Sequence, residues 1–83
     1  MLIRYFGAAQ AAAGIAQERL ELGSASLEDV LESIRSRHSG SEPPMERVVA
    51  RSSFLLNEVS LRDRTAVLGP EDVLDILPPF AGG

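Results

Sequence analysis

Residues 78–83 read Pro-Pro-Phe-Ala-Gly-Gly, and their types point to one reactive group, a carboxylate at Gly83 with no side chain near it. Gly82 and Gly83 strip the tip to backbone, so it can enter a slot that admits nothing wider. Pro78 and Pro79 fix φ and bias the residues before them toward extended conformations, which stiffens the stalk behind the tip. Phe80 is a large apolar group on an otherwise slim segment, the kind of side chain that anchors in a partner's pocket. Six residues reach at most about 20 Å when fully extended. That length carries a carboxylate into another protein while the globular body stays outside.

The rest of the sequence offers little competing chemistry. There is no cysteine, which removes disulfides, thiolate catalysis and zinc-thiolate sites. All eight basic residues are arginine, so the chain has no lysine for a Schiff base or for conjugation between copies. The single histidine, His38, cannot build a metal site without several carboxylates, and no metal ligand set is expected. His38 reads instead as a cation or solvated residue at a helix end. Glu28, Asp29 and Glu32 read as a solvated helix face. A net charge of −4 argues against nucleic-acid binding, which wants a basic stripe, and permits a basic partner surface. No segment is long and apolar enough to span a membrane, and Met1 to Phe6 reads as a strand and not as a leader. Both readings point to the cytoplasm.

The arm needs a base. Eighty-three residues make one domain with a modest core. Leu2 to Phe6 suits a strand, in which Tyr5 and Phe6 face opposite ways, one into the core and one toward a partner patch. Ala8 to Ala13 suits a short helix stopped at Gly14. Gln17 to Leu22 alternates and suits a second strand, with Leu20 and Leu22 on one face. Ser26 opens the clearest helix, with Asp29 three residues on approximating a capping box. Leu27, Val30, Leu31 and Ile34 form its buried stripe. Gly40 and Pro43-Pro44 end it. Met45 to Ala50 reads as a helical turn, Phe54 to Leu56 as a third strand, Asn57-Glu58 as a hairpin tip and Val59 to Leu61 as a short fourth strand. Leu68 to Asp72 reads as a turn, and Val73 to Leu77 as the last strand, with Asp75 on an exposed position beside Val73 and Leu77. The order predicts an α+β domain over residues 1–77, a mixed sheet of four to five strands with one main helix on one face and short helical segments, followed by a tail over residues 78–83. If the last strand lies mid-sheet, the arm springs from a rigid base.

The chain resembles the ubiquitin-like sulfur-carrier family, most closely its members that serve as the small subunit of molybdopterin synthase. The resemblance covers nearly the whole chain. It is carried chiefly by Leu77-Pro78-Pro79-Phe80-Ala81-Gly82-Gly83, and also by Ile3-Arg4-Tyr5-Phe6-Gly7-Ala8, Leu56-Asn57-Glu58 and the turn Leu68 to Asp72. Two positions depart from the family pattern: Gln10, where members often carry arginine, and Glu71-Asp72, where they often carry Gly-Asp. The resemblance implies a β-grasp fold with no bound cofactor. It implies that an E1-like activating enzyme adenylates Gly83 with ATP, that a sulfur donor converts the adenylate to a thiocarboxylate, and that a large synthase subunit receives the tail in a heterotetramer. Sulfur then passes to a pterin precursor of the molybdenum cofactor. On this reading Gly83 is the reacting residue. Gly82, Ala81, Phe80, Pro79, Pro78, Leu77, Val73 and Phe6 are the partner-binding ones. Three alternatives remain open: a carrier for thiazole or cysteine synthesis, a ubiquitin-like modifier joined to target lysines, and a binding module with an incidental tail.

Overall fold

The computed structural model describes residues 1–79. The first strand, β1, spans Leu2–Tyr5, and Phe6 then caps a short helix, α1, over Gly7–Ala13. Phe6 is extended, and its carbonyl accepts from the Ala9 N–H at 2.9 Å. Gly14, at φ +76°, ends the helix in the left-handed conformation that glycine adopts without strain. Next come β2 (Gln17–Arg19), β3 (Ala25–Ser26), α2 (Leu27–Arg37), α3 (Met45–Arg51), β4 (Ser53–Leu56), β5 (Val59–Ser60), β6 (Val67–Leu68) and β7 (Val73–Leu77).

The sheet order is β2-β1-β7-β4-β5, so the last strand occupies the centre. It runs parallel to β1, with Leu2 opposite Val73 and Tyr5 opposite Ile76, and antiparallel to β4, with Ser53 opposite Leu77 and Leu56 opposite Leu74. A mixed sheet of this kind, with its helices on one face, is the α+β architecture expected from the sequence. Strand alternation sends Ile3, Tyr5, Phe54, Leu74 and Ile76 to the helix side, where they are buried. The apolar stripe of α2 meets them: Leu27, Val30, Leu31 and Ile34 are fully buried. The Ser26 side chain accepts from the Asp29 N–H at 3.1 Å, which gives the helix its start.

Four elements differ from expectation. The strand after α1 stops at Arg19; Leu20 is buried while Leu22 is exposed, so the two leucines do not share a face in one strand. The segment after Pro44 is a two-turn helix that buries Met45, Val48 and Val49. Leu68 belongs to a strand, and the turn begins at Gly69, where the carbonyl accepts from the Asp72 N–H at 3.2 Å. Finally, β3 and β6 pair as a separate two-stranded ribbon, Ala25 with Leu68 and Ser26 with Val67. Two-residue strands are too short to carry a period, so neither was legible.

Candidate functional site

The site is built where β7 leaves the sheet. Both edges of β7 are hydrogen-bonded, so its direction is fixed over its full length. On one side the last contact is the Phe6 N–H donating to the Ile76 carbonyl at 3.3 Å; on the other it is the Ser53–Leu77 pair. Proline cannot donate to a ladder, so pairing ends at Pro78. Pro78 is half-buried and Pro79 is exposed. The segment therefore leaves the most constrained strand of the sheet and meets solvent within two residues. Phe80, Ala81, Gly82 and Gly83, assigned from the sequence to partner binding and to the reacting end, lie outside the described residues.

Three further expected residues sit on the body. Tyr5 is buried and Phe6 is 41% exposed, which settles the choice left open in the first strand. Phe6 continues the ladder beside Leu77, so an exposed aromatic and a half-buried leucine flank the point of departure. Val73 lies on the same side as Leu77 but at the far end of β7, about 13 Å away at strand rise. The structure thus brings Phe6, Leu77 and Pro78 together and sets Val73 apart.

Asp75 departs from the reading made of it. Alternation places it on the side away from the helices with Val73 and Leu77, yet it is 4% exposed and not a solvated position. Arg4, its register partner on β1, covers it. The guanidinium donates from Nε to one carboxylate oxygen at 2.5 Å and from Nη2 to the other at 2.8 Å. This two-bond contact, and the charge of Asp75, hold Arg4 more firmly protonated than usual.

His38 also differs from expectation. It caps α2 but is not solvated: its Nε2 lies 2.5 Å from a Glu18 carboxylate oxygen, with both side chains mostly buried. The Tyr5 hydroxyl donates to the same oxygen at 2.5 Å, and Arg37 Nε donates to the other at 3.0 Å. A carboxylate only accepts, so the His38 Nε2 must carry the proton it shares. Burial pushes the Glu18 carboxyl up, but hydrogen bonds from Tyr5, His38 and Arg37 outweigh it and hold the group below its usual range. Burial, then the bond to Glu18, pushes the Tyr5 hydroxyl far above its ordinary value, so it stays a donor. This cluster ties β1, β2 and α2 together. The Tyr5 hydroxyl, His38 Nε2 and Arg37 Nε all converge on one carboxylate, so the role of the cluster is structural.

Among the described residues no group of three or more histidine, aspartate or glutamate side chains is placed to hold a metal. Among them, too, no helix is long and apolar enough to cross a membrane. The geometry is that of a rigid platform with a directed departing strand.

The family model described as the ThiS family matches residues 3–83, almost the full sequence. No curated protein matches the chain. Among solved structures, it is similar to a Pyrococcus furiosus protein provisionally named molybdopterin converting factor, subunit 1. The two share 24% identity and a TM-score of 0.75, over 94% of each chain. It is also similar to the Haloferax volcanii HVO 2177 protein, at 22% identity and a TM-score of 0.71, over 99% of this chain and 84% of that one. These likenesses show the β-grasp fold. The chain belongs to the ThiS family of ubiquitin-like sulfur carriers, which act with partner enzymes.

Proposed function

We propose that this chain is the sulfur-carrying small subunit of a molybdopterin synthase, working in the cytoplasm, with residues 1–77 as the body and residues 78–83 as the arm. The observation that carries the reading is the central position of β7 combined with its departure at Pro78-Pro79. A tail rooted in a central strand keeps its direction when the tip is pulled into another protein. Two prolines reduce the entropy lost on docking. The name borne by the Pyrococcus furiosus neighbour points to the same pathway.

The chemistry follows from the end group. A carboxylate is a poor electrophile. An E1-like activating enzyme joins the Gly83 carboxylate to the AMP part of ATP and releases pyrophosphate. Sulfide attacks the mixed anhydride, AMP leaves, and a thiocarboxylate remains; where the donor is a persulfide, the first product is an acyl disulfide, and a second thiol reduces its S–S bond to release the thiocarboxylate. Once in the large subunit, the thiocarboxylate sulfur attacks a carbon of the pterin precursor and displaces an oxygen substituent; water then cleaves the acyl–sulfur bond, which returns the Gly83 carboxylate and leaves the sulfur on the pterin. A β-carbon at residue 83 would crowd the adenylate, and glycine removes it. Phe6 and Leu77, with Val73 at the far end of β7, are the body's contribution to docking, and the arm from Pro78 through Pro79, Phe80, Ala81 and Gly82 enters the partner. ATP is consumed by the activating enzyme and not held by this chain.

Reconstitution tests the pathway. The thiocarboxylated chain is mixed with the large synthase subunit and the pterin precursor, and the dithiolene product is assayed. One chain is expected to yield one transferred sulfur, and a variant with alanine added after Gly83 is expected to yield none. Sulfur reaching a thiazole or a cysteine precursor, with the pterin left unchanged, rejects the molybdenum pathway. Heavy covalent adducts to target lysines in cell lysate reject the carrier reading in favour of a modifier.

A further inference from the structure

Beside the point where the tail leaves, the sheet carries a small cleft that the proposed function does not use. Ser53 pairs with Leu77 across β4 and β7, and Leu55 pairs with Ser60 across β4 and β5. The Leu61 N–H donates to the Phe54 carbonyl at 2.9 Å, so the β4–β5 register runs past the end of β5 and sets Arg62 beside Ser53. Leu77, Ser53 and Arg62 thus stand in a row on three neighbouring strands, and at strand spacing the Arg62 backbone lies about 10 Å from Leu77. The cleft there holds about 290 Å³, with Phe54 and Leu61 as its apolar part and Ser53, Ser60, Arg62 and Arg64 as its polar part. Its two cations differ. Arg64 is engaged: it donates to Glu28 at 3.0 Å and lies over the Phe54 ring, 5.7 Å from the centre. Arg62 is exposed and, among the described residues, pairs with no carboxylate. Its neighbour Asp63 accepts instead from the Thr65 N–H at 2.9 Å and from the Thr65 hydroxyl at 2.7 Å.

We infer that this cleft is a resting site for the chain's own C-terminus: the Gly83 carboxylate, or the thiocarboxylate that replaces it, pairs with Arg62, and a partner draws the tail away from it. This rests on the proposed carrier function, which takes Gly83 as the free end. The reach is sufficient. Pro78 and Pro79 carry the chain about 6 Å beyond Leu77, and Phe80 to Gly83 reach at most about 13 Å more, enough to cross to Arg62. Gly82 and Gly83 admit the change of direction. The charges are opposite, and both anionic forms of the end group offer the two acceptors that a guanidinium fork matches. A carboxylate on so short a tether is present at an effective concentration on the order of millimolar, so it fills the cleft ahead of acidic groups on separate molecules. An exposed pair favours its closed form only about two- to fivefold, so a partner displaces it readily.

The test compares two forms of the full chain, one with the free acid at Gly83 and one with a C-terminal amide, which keeps the length and removes the charge. In ¹⁵N spectra the backbone signals of Ser53, Ser60 and Arg62, and the Arg62 Nε signal, are expected to shift between acid and amide, while those of β2 at the opposite edge stay in place. The shift is expected to fade between about 0.01 M and about 1 M salt, as the screening length falls from about 30 Å to about 3 Å. It is expected to vanish when both forms carry Arg62→Gln, a change at an exposed position. Coincident spectra of acid and amide overturn the inference, and so does a shift that persists in Arg62→Gln. A shift that grows with protein concentration assigns the cleft to the tail of a second copy and overturns self-docking. Wild-type chain that shows the shift but acquires no sulfur from its activating enzyme and sulfide rejects the carrier reading alone; wild-type chain that acquires sulfur while the acid and amide spectra coincide rejects this inference alone.

Discussion

Glu18 accepts from Tyr5, His38 and Arg37 at once, and its folded-state carboxyl is held below the ordinary value of 4.5. A depressed carboxyl contributes stability that is complete above its unfolded pKa and is lost as pH falls through the lower folded value. Replacing Glu18 with glutamine is therefore expected to cost about 1–2 kcal/mol at neutral pH. It is also expected to flatten the decline in stability as pH drops below 4.5. Urea unfolding of both chains across that range checks it; parallel curves contradict it. Asp72, held low by the Gly69 N–H and by Asn57, keeps part of the acid sensitivity in the variant. These residues also mark what sequence reading reaches. That Tyr5 and Phe6 face opposite ways follows from alternation alone; which of the two is core does not, and burial assigns it to Tyr5. The Glu18 contacts do not, because Tyr5, Glu18 and His38 sit on three elements and are 13 to 33 positions apart. Asp75 was misread for the same reason: its outward side follows from the period, but its cover by Arg4 depends on β1 lying beside β7.

At the scale of elements, the hairpin between β4 and β5 sets the register of the central strand. Asn57 and Glu58 adopt φ of +50° and +69°, a left-handed pair that suits a two-residue hairpin turn and that asparagine tolerates better than most residues. The Asn57 backbone N–H donates to the Val73 carbonyl at 2.8 Å. Its side-chain oxygen accepts from the Val73 N–H at 2.9 Å, and its amide donates to Asp72 at 3.0 Å. The start of β7 is thus clamped, and with it the point where the tail leaves. Asn57→Ala is expected to lose about 1–3 kcal/mol, combining lost bonds with backbone strain, and Asn57→Gly to recover only the strain part. Denaturant midpoints of the two variants check this, and equal losses contradict it. The hairpin tip was legible from Asn-Glu between two apolar runs, and α2 from its cap and stripe. The clamp was not, because it joins residues 15 and 16 positions apart.

For the whole molecule, the account divides labour between a rigid body and a bare end. The body supplies a buried core, a central strand held on both edges and a partly apolar face. On the proposed function, activation and transfer chemistry belong to the partners, and the chain contributes its end group. The sheet order could not be read from the sequence, yet it gives the chain a fixed direction at the point where Pro78 leaves the sheet. The most direct measurement is the intact mass of the chain after incubation with ATP, its activating enzyme and a sulfide source. The account predicts a gain equal to replacement of one oxygen by one sulfur, located at Gly83 by fragmentation. An unchanged mass beside an activating enzyme that demonstrably turns over ATP, or sulfur found on any other residue, contradicts it.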